Sequence, residues 1–600
     1  MGRPLGASTA AITEDSALGG TDIQRSLRIR RNNSSYLART PSSASNRRTW
    51  TWSAWLKIGK MGVDRGLFSA STDVDNRNGF TLQDSERFLF DYEIGGTRYL
   101  IRTTPYYRDT TSWYHVVLAI DTTQATEENR VKIYVNGSEQ TVSEVVNGYP
   151  PQDVEMFINN NIQHHIGRQT WDSSAQFDGY LTDINFVDGQ SLDASYFGYT
   201  DSQTGQWRSK KFEGTYGTNG FYLKFADNSA ASSTTIGKDS SGNGNNWTPN
   251  NISVASDHTN DSMLDTPSNN FANLNNINYF MIDLGSTVNQ LEEGGLFLDN
   301  PNNADRAVHA TQLMQKGKKY YVEGVYYEAG SGSQANWAVT SLTKNDGYPY
   351  KPNSDRDEGA WGIDWRGGAG TPAIFYKNGG QTNSGSRPSN GQVIGMAIDL
   401  VNGKIWFSKA GSYAWGGGNP VNGTTPDISG VPTDEDFYFT VSVDSGGPNY
   451  TDFRINFGQQ PFQYKPSGFD GLLNSETITV TPPVIMRPER HFDTLLWTGN
   501  SSSSNRSITG LEFKPDLVWS KTRNYAYHQV WMDSVRGASN RLNSDQNFTE
   551  NYTNGGYLAS FDDDGITWQY GGGSGNEWWN QSYNYIAWCW KAGGTAVSNS

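Results

Sequence analysis

Short stretches of the chain alternate apolar and polar residues with a period of two, and turn residues break them at close intervals. The run Arg48-Thr49-Trp50-Thr51-Trp52-Ser53-Ala54-Trp55-Leu56-Lys57 puts Trp50, Trp52 and Ala54 on one face of a strand. Residues 87–94, 98–103, 113–120, 130–136 and 180–187 read as further strands, with Asn136-Gly137 as a hairpin turn and Asp188-Gly189 as a turn. Farther on, 220–227 is strand-like and 318–330 is an aromatic-rich strand. Residues 391–411 read as two strands around Asn402-Gly403, and DFYFTVSVDSG and TDFRINFGQQPF follow. Many short strands with turn signals every ~8–12 residues predict an all-β chain of tandem antiparallel sandwiches with a C-terminal β-rich module. No short-period repeat is present, which excludes a solenoid.

Composition strengthens this picture. Aromatic residues make up 13% and glycine numbers 65, which suits pleated surfaces and tight turns. With 600 residues the chain exceeds a single core. The pattern divides it into an arm (1–25), a first sandwich (26–200), a polar bridging segment packed on the sandwiches (201–270) and a second sandwich (271–470). A linker marked by Pro482, Pro483 and Pro488 (471–488) and a last module (489–600) complete it.

The net charge of −15 and pI of about 5.0 exclude a uniformly basic nucleic-acid groove. Arg30-Arg31 and Arg47-Arg48 are isolated basic pairs. The N-terminal stretch has no apolar run, and no segment reaches the ~20 apolar residues of a membrane span. One cysteine, Cys589, lies between Trp588 and Trp590 and reads as a buried thiol. The expectation is a chain folded in a reducing cytoplasm and released by lysis, with no membrane insertion.

The strings TPSSASNRRTWTWSAWLK, SWYHVVLAIDTTQATEENRVKIYVNGSEQ, HHIGRQ and FDGYLTDINFVDGQSLDASYFG, in that order over about 30–200, resemble a laminin-G-like, concanavalin-A-like module. More narrowly they resemble the version in tail-fibre-like proteins of marine bacteriophages, including those of cyanobacteria. KDSSGNGNNW resembles a turn frequent in laminin-G-like proteins. VIGMAIDLVNGKIWFSKAG with NFGQQPF and YKPSGF resembles an SPRY-type concanavalin-like (jelly-roll) sandwich. The last module, from HFDTLLWTGNSSSS to YNYIAWCWKAGG, resembles a recurrent phage fibre module. The resemblance implies a non-catalytic virion surface protein, a tail fibre or spike assembled in the host cytoplasm. It implies a homotrimer joined to other virion proteins through the arm, adhering to host polysaccharide or lipopolysaccharide. A head-decorating or neck appendage and a glycan depolymerase are the alternatives.

Candidate chemistry is sparse. Asp239, Ser241, Asn243 and Gly244 follow calcium-loop spacing, but position 12 is Asn250. A structural calcium competes there with a metal-free Asx turn, and no cofactor is required. Asp562-Asp563-Asp564-Gly565 reads as a solvated turn, and His164-His165 would point to opposite faces of a strand. Asp355, Asp357 and Glu358 share a loop with Arg356. No Gly-x-Ser-x-Gly elbow, Walker loop or paired-carboxylate strand string is present. For a glycan, Trp361, Asp364 and Trp365 in a Gly-rich region, Tyr413 with Trp415, and Trp578, Trp579, Asn580 and Tyr583 are the candidate contacts. Core packing is the competing reading for each. Trp50, Trp52 and Trp55 lie within a strand and read chiefly as packing residues.

Overall fold

The computed structural model describes residues 20–201, 204–281, 291–299, 306–329, 334–341, 359–365, 372–377, 380–413, 417–444, 450–475, 488–550, 556–570 and 579–592. The chain forms two compact units, residues 1–480 and 481–600. Among the described residues every regular element is a β-strand or a short 3-10 turn.

The first sandwich pairs two eight-stranded antiparallel sheets. One is centred on Thr49–Ile58, which lies between Trp113–Asp121 and Gly179–Asp188. The alternation Trp50, Trp52, Ala54, Leu56, Ile58 fills the space between the sheets, where Trp52 stacks on Phe68. The opposite face of the same strand is also buried, because the second sandwich covers part of it. Trp55, Trp113 and Tyr180 belong to the second sandwich's apolar cluster. Asn136 (φ 47°) and Gly137 (φ 84°) form the hairpin turn between Val131–Val135 and Ser138–Glu139.

The bridging segment is woven into the first sandwich. Phe221–Leu223 pairs with Gly179–Asp188, Thr248–Asn250 with Tyr36–Arg39, and Ser262–Met263 with Ser26–Ile29. Phe221, Phe225 and Trp247 enter the core. Of the arm, residues 1–19 lie outside the described residues, while Ile23 is buried and donates its N–H to Ser268.

The second sandwich stacks two seven-stranded antiparallel sheets. Lys319–Ala329 sits between Gln392–Asp399 and Tyr450–Asn456, and Gln334–Ser341 sits between Ala360–Trp365 and Phe437–Asp444. Buried ion pairs hold it and the bridging segment to the first sandwich. Arg28 meets Asp261 and Glu293, each at 3.1 Å, and Arg454 meets Glu293 at 2.7 Å. Lys57 meets Asp265 at 2.7 Å, and Trp113 donates to the same carboxylate. Burial opposes ionisation of Glu293, but Arg28 and Arg454 outweigh it and hold the carboxyl at about 2. Residues 476–487, with most of the proline-marked linker, lie outside the described residues.

The last unit has a five-stranded sheet, in the order Phe492–Thr498, Asn584–Trp590, Leu517–Thr522, Val530–Asp533, Arg541–Asn543. It also has a three-stranded sheet of Arg506–Thr509, Gly565–Gln569 and Tyr557–Asp562. Leu495, Val518, Met532, Trp568, Ala587 and Cys589 lie in its core. Burial pushes the Cys589 thiol up to about 12.

Candidate functional site

The two outer faces of the first sandwich have different fates. One is covered by the second sandwich and by the segment around Leu192, Phe197 and Phe212. The other belongs to the sheet that runs from Val142–Val146 to Thr248–Asn250, and strand register arranges its outward side chains in rows. Ser71, Arg77, Glu93 and Arg98 form one row, and Ala38, His165, Ser69, Gly79, Asp91 and Leu100 the next. The inward positions that alternate with these rows, including Phe68, Phe80, Phe90 and Ile101, belong to the core.

After His164–Ile166 the chain folds back across this face. Three small hydroxyl side chains stitch it down. Ser69 donates to the Arg168 carbonyl (3.0 Å) and accepts from the Thr170 N–H (3.0 Å). Ser71 donates to Thr170 (2.7 Å), and Gln169 donates to Thr81 (2.9 Å). Asp172 closes the loop by accepting from the Ser174 N–H and hydroxyl, and those bonds depress its carboxyl. The loop thereby lays Trp171 over Gly79, where a Cβ would collide with the indole. The Arg77 guanidinium stands 5.0 Å from the Trp171 ring centroid. The indole is half-buried.

Beside the ring is a charge-balanced ion network. Arg98 donates through Nε and Nη2 to the two oxygens of Asp91 (3.0 and 2.9 Å), a bidentate pair. Arg77 lies 2.5 Å from Glu93 and 3.5 Å from Asp91. At the far end of the face Arg168 lies 3.8 Å from the Tyr36 ring centroid, and Tyr36 packs on His165. Burial, with Arg168 beside it, lowers His165 to about 4, so this imidazole is neutral at pH 7. A partly exposed indole next to paired donors and acceptors is the chemistry that holds a sugar ring: stacking on one side, hydroxyl contacts on the other.

The residues singled out from the sequence fall elsewhere. Trp361, Asp364 and Trp365 lie on the strand Ala360–Trp365 and not in a loop. They are 2%, 0% and 0% exposed, so no ring face is left for a ligand, and the glycan reading of this trio is corrected to core packing. Trp579 is likewise 0% exposed and stacks on Trp568. Asn580 is buried and accepts from the Asn500 N–H. Tyr413 is half-buried against the cluster of Tyr321, Trp406 and Phe469. Tyr583 keeps partial exposure and stacks on Tyr525 (4.5 Å), with Tyr527 beside both. Trp415, Trp578, Asp355, Asp357 and Glu358 lie outside the described residues.

The Asp239 loop satisfies itself. Its carboxylate accepts from the N–H groups of Tyr222, Ser241 and Asn245 and from the Ser241 hydroxyl. The Asn243 amide donates to the carbonyls of Gly217 and Gly220. A carboxylate has about four lone-pair sites, and four donors already fill them without an ion. Among the described residues, no three His, Cys, Asp or Glu side chains gather as metal ligands.

A second tryptophan-bearing face lies on the last unit. Outward positions of its five-stranded sheet carry Phe492, Leu496, Trp519, Trp531, Trp588 and Trp590. Trp519 stacks between Trp531 (5.1 Å, 6°) and Trp588 (4.6 Å, 26°), and Trp531 stacks on Trp590 (6.0 Å, 14°). Trp519, Trp531 and Trp590 each pack on two rings, and Trp588 packs on Trp519.

One pair looks catalytic and is not. Ser53 Oγ lies 2.9 Å from Nε2 of the buried His115. The Trp207 indole donates to Nδ1 (3.0 Å), and an indole N–H can only donate. Burial lowers His115 to about 3, so the ring is neutral and its proton sits on Nε2, donating to Ser53. That nitrogen has no lone pair with which to take the serine proton.

Residues 31–195 match the family described as the concanavalin A-like lectin/glucanases superfamily, and form a laminin G-type domain of that fold. Residues 487–600 match a domain of unknown function. No curated protein matches the chain. Among solved structures, the chain is similar to the native heptameric SAP-like pentraxin of Limulus polyphemus, at 16% identity over 29% of this chain and 81% of that one (TM-score 0.23). It is similar to domains LG4-5 of the mouse laminin alpha1 chain, at 10% identity over 79% and 97% (TM-score 0.24). It is also similar to domain 4 of the arabinanase AbnA of Geobacillus stearothermophilus in complex with arabinotriose, at 18% identity over 27% and 68% (TM-score 0.21).

Trp171 escaped the sequence reading because it sits in an Asp-Ser-Ser loop without periodicity. Gly79 was the available signal: a glycine inside a strand pattern marks the close approach of another group.

Proposed function

We propose that the chain is a non-catalytic adhesion protein that binds cell-surface glycan through the outer face of its first sandwich. The carrying observation is Trp171, held over Gly79 beside the paired Arg77, Asp91, Glu93 and Arg98. The lectin-type family match over residues 31–195 supports the same reading. The resemblance of its sequence strings to marine phage fibre proteins suggests display on a virion, in several copies, where weak contacts multiply into avidity. In this reading the protein assembles in the host cytoplasm and joins the particle through residues 1–25. A homotrimer would supply the copies.

The test is binding of the full chain to bacterial cells before and after periodate oxidation of their surface sugars. Binding that falls after oxidation, with polysaccharide chain length unchanged on incubation, supports adhesion. Binding indifferent to oxidation contradicts it, and shortened chains would establish a depolymerase instead. Immuno-electron microscopy of particles distinguishes a fibre from a head-bound appendage.

A further inference from the structure

We infer that the Trp171 site takes uncharged sugar residues and rejects uronate, sialate and sulfated ones; this rests on the reading of that face as a glycan site. The cation against the ring, Arg77, and its row neighbour Arg98 are matched by two anions, Asp91 and Glu93, in adjacent positions of neighbouring strands. Both guanidiniums are committed to carboxylates. Arg98 is held at both Nε and Nη2 by Asp91, and Arg77 lies against Glu93 and Asp91 while also donating to the Val74 carbonyl. An acidic sugar would have to displace a carboxylate from one of these pairs, leaving that carboxylate without its cation and beside the ligand's own negative charge.

A neutral sugar meets no such obstacle. Each hydroxyl both donates and accepts, so it can receive a guanidinium N–H and give a hydrogen bond to a carboxylate lone pair while the ion pairs stay intact. The ring supplies the apolar contact for the sugar's C–H face. Arg168, the cation at the opposite end of the face, lies over the Tyr36 ring, away from the paired charges beside Trp171. The whole chain, at −15, opposes the approach of a polyanion as well.

The experiment is titration of the full chain, by calorimetry and on immobilised glycans, with two sets of probes. Neutral oligosaccharides of glucose, mannose, galactose and arabinose form one set; oligogalacturonate, sialyllactose and chondroitin sulfate form the other. Each is repeated with Trp171→Ala, whose fold is checked by circular dichroism, and with Glu93→Gln. At least one neutral probe is expected to bind, and to weaken about tenfold or more in Trp171→Ala, the loss of one stacked ring. Acidic probes are expected to bind the wild type more weakly than neutral ones and to gain about tenfold in Glu93→Gln, where the freed Arg77 becomes available. Trp171-dependent binding of acidic probes alone overturns this inference and leaves the glycan site standing. Absence of Trp171-dependent binding in both sets overturns the glycan site itself and this inference with it.

Discussion

The outer face that carries Trp171 and the outer face that carries Trp519 differ in what their indoles do. Both belong to antiparallel sheets whose inward positions fill an apolar core. On the first sandwich the indole is backed by a glycine and an arginine, in a row of paired charges. On the last unit the indoles stack on one another in a ladder across strands, with exposed Phe492, Leu496 and Leu542 around them. An aromatic residue on a sheet surface is therefore not by itself a sugar platform. A ladder offers ring edges and holds its own sheet together through cross-strand pairs, whereas an isolated ring over a glycine keeps surface for a ligand.

The difference can be broken by substitution. Among substitutions on these two outer faces, the largest effect is expected from Trp519→Ala, which removes a ring stacked on two neighbours. The last unit should lose about 2 kcal/mol, read as faster hydrogen exchange along Leu517–Thr522, with glycan binding unchanged. Trp171→Ala should do the reverse, costing the first sandwich under about 1 kcal/mol while removing most glycan affinity. Gly79→Ala comes next. Its Cβ must push the indole away, so binding should weaken several-fold at about the same melting temperature; an unchanged affinity would show that the ring need not lie where it does. The smallest effect sharpens the other side of the comparison. Cys589 faces inward beneath the ladder, with a thiol held up near 12, so native protein should resist alkylation at pH 8 and react only after unfolding. Rapid labelling would mean that the ladder sheet opens readily.

Much of this was legible from alternation. Trp50 and Trp52 face the core as a period of two requires, and the Asn136-Gly137 turn lies where its residues place it. Trp361 and Trp365 were misplaced because the glycines around them resemble a loop, while their strand is held by pairing with Gln334–Ser341. The buried charges were invisible for a different reason. Lys57 and Asp265, or Arg28 and Glu293, lie more than two hundred residues apart, and only tertiary contact reveals that each needs the other. The glycan face combined both difficulties. Its rows come from register across strands, and Trp171 reaches it from a loop pinned by Ser69, Ser71 and Thr81.

The pair at Glu293 also bears on acid stability. Its folded value lies below the ordinary 4.5, so its stabilising contribution is complete above about 4.5 and disappears as pH falls through about 2. Glu293→Gln should therefore cost about 3 kcal/mol at pH 7, by leaving Arg454 without its carboxylate and Arg28 with Asp261 alone, and progressively less below pH 4. This disruption belongs to the covered face of the first sandwich, so it should spare Trp171 binding wherever the protein remains folded.

The most direct measurement is hydrogen–deuterium exchange of the full chain with and without a saturating neutral oligosaccharide. Protection is predicted in residues 167–178 and in the strands Asn76–Leu82 and Phe88–Ile94, with Leu517–Thr522 and Asn584–Trp590 unaffected. Protection confined to the tryptophan ladder of the last unit would contradict the assignment of the glycan site to the first sandwich.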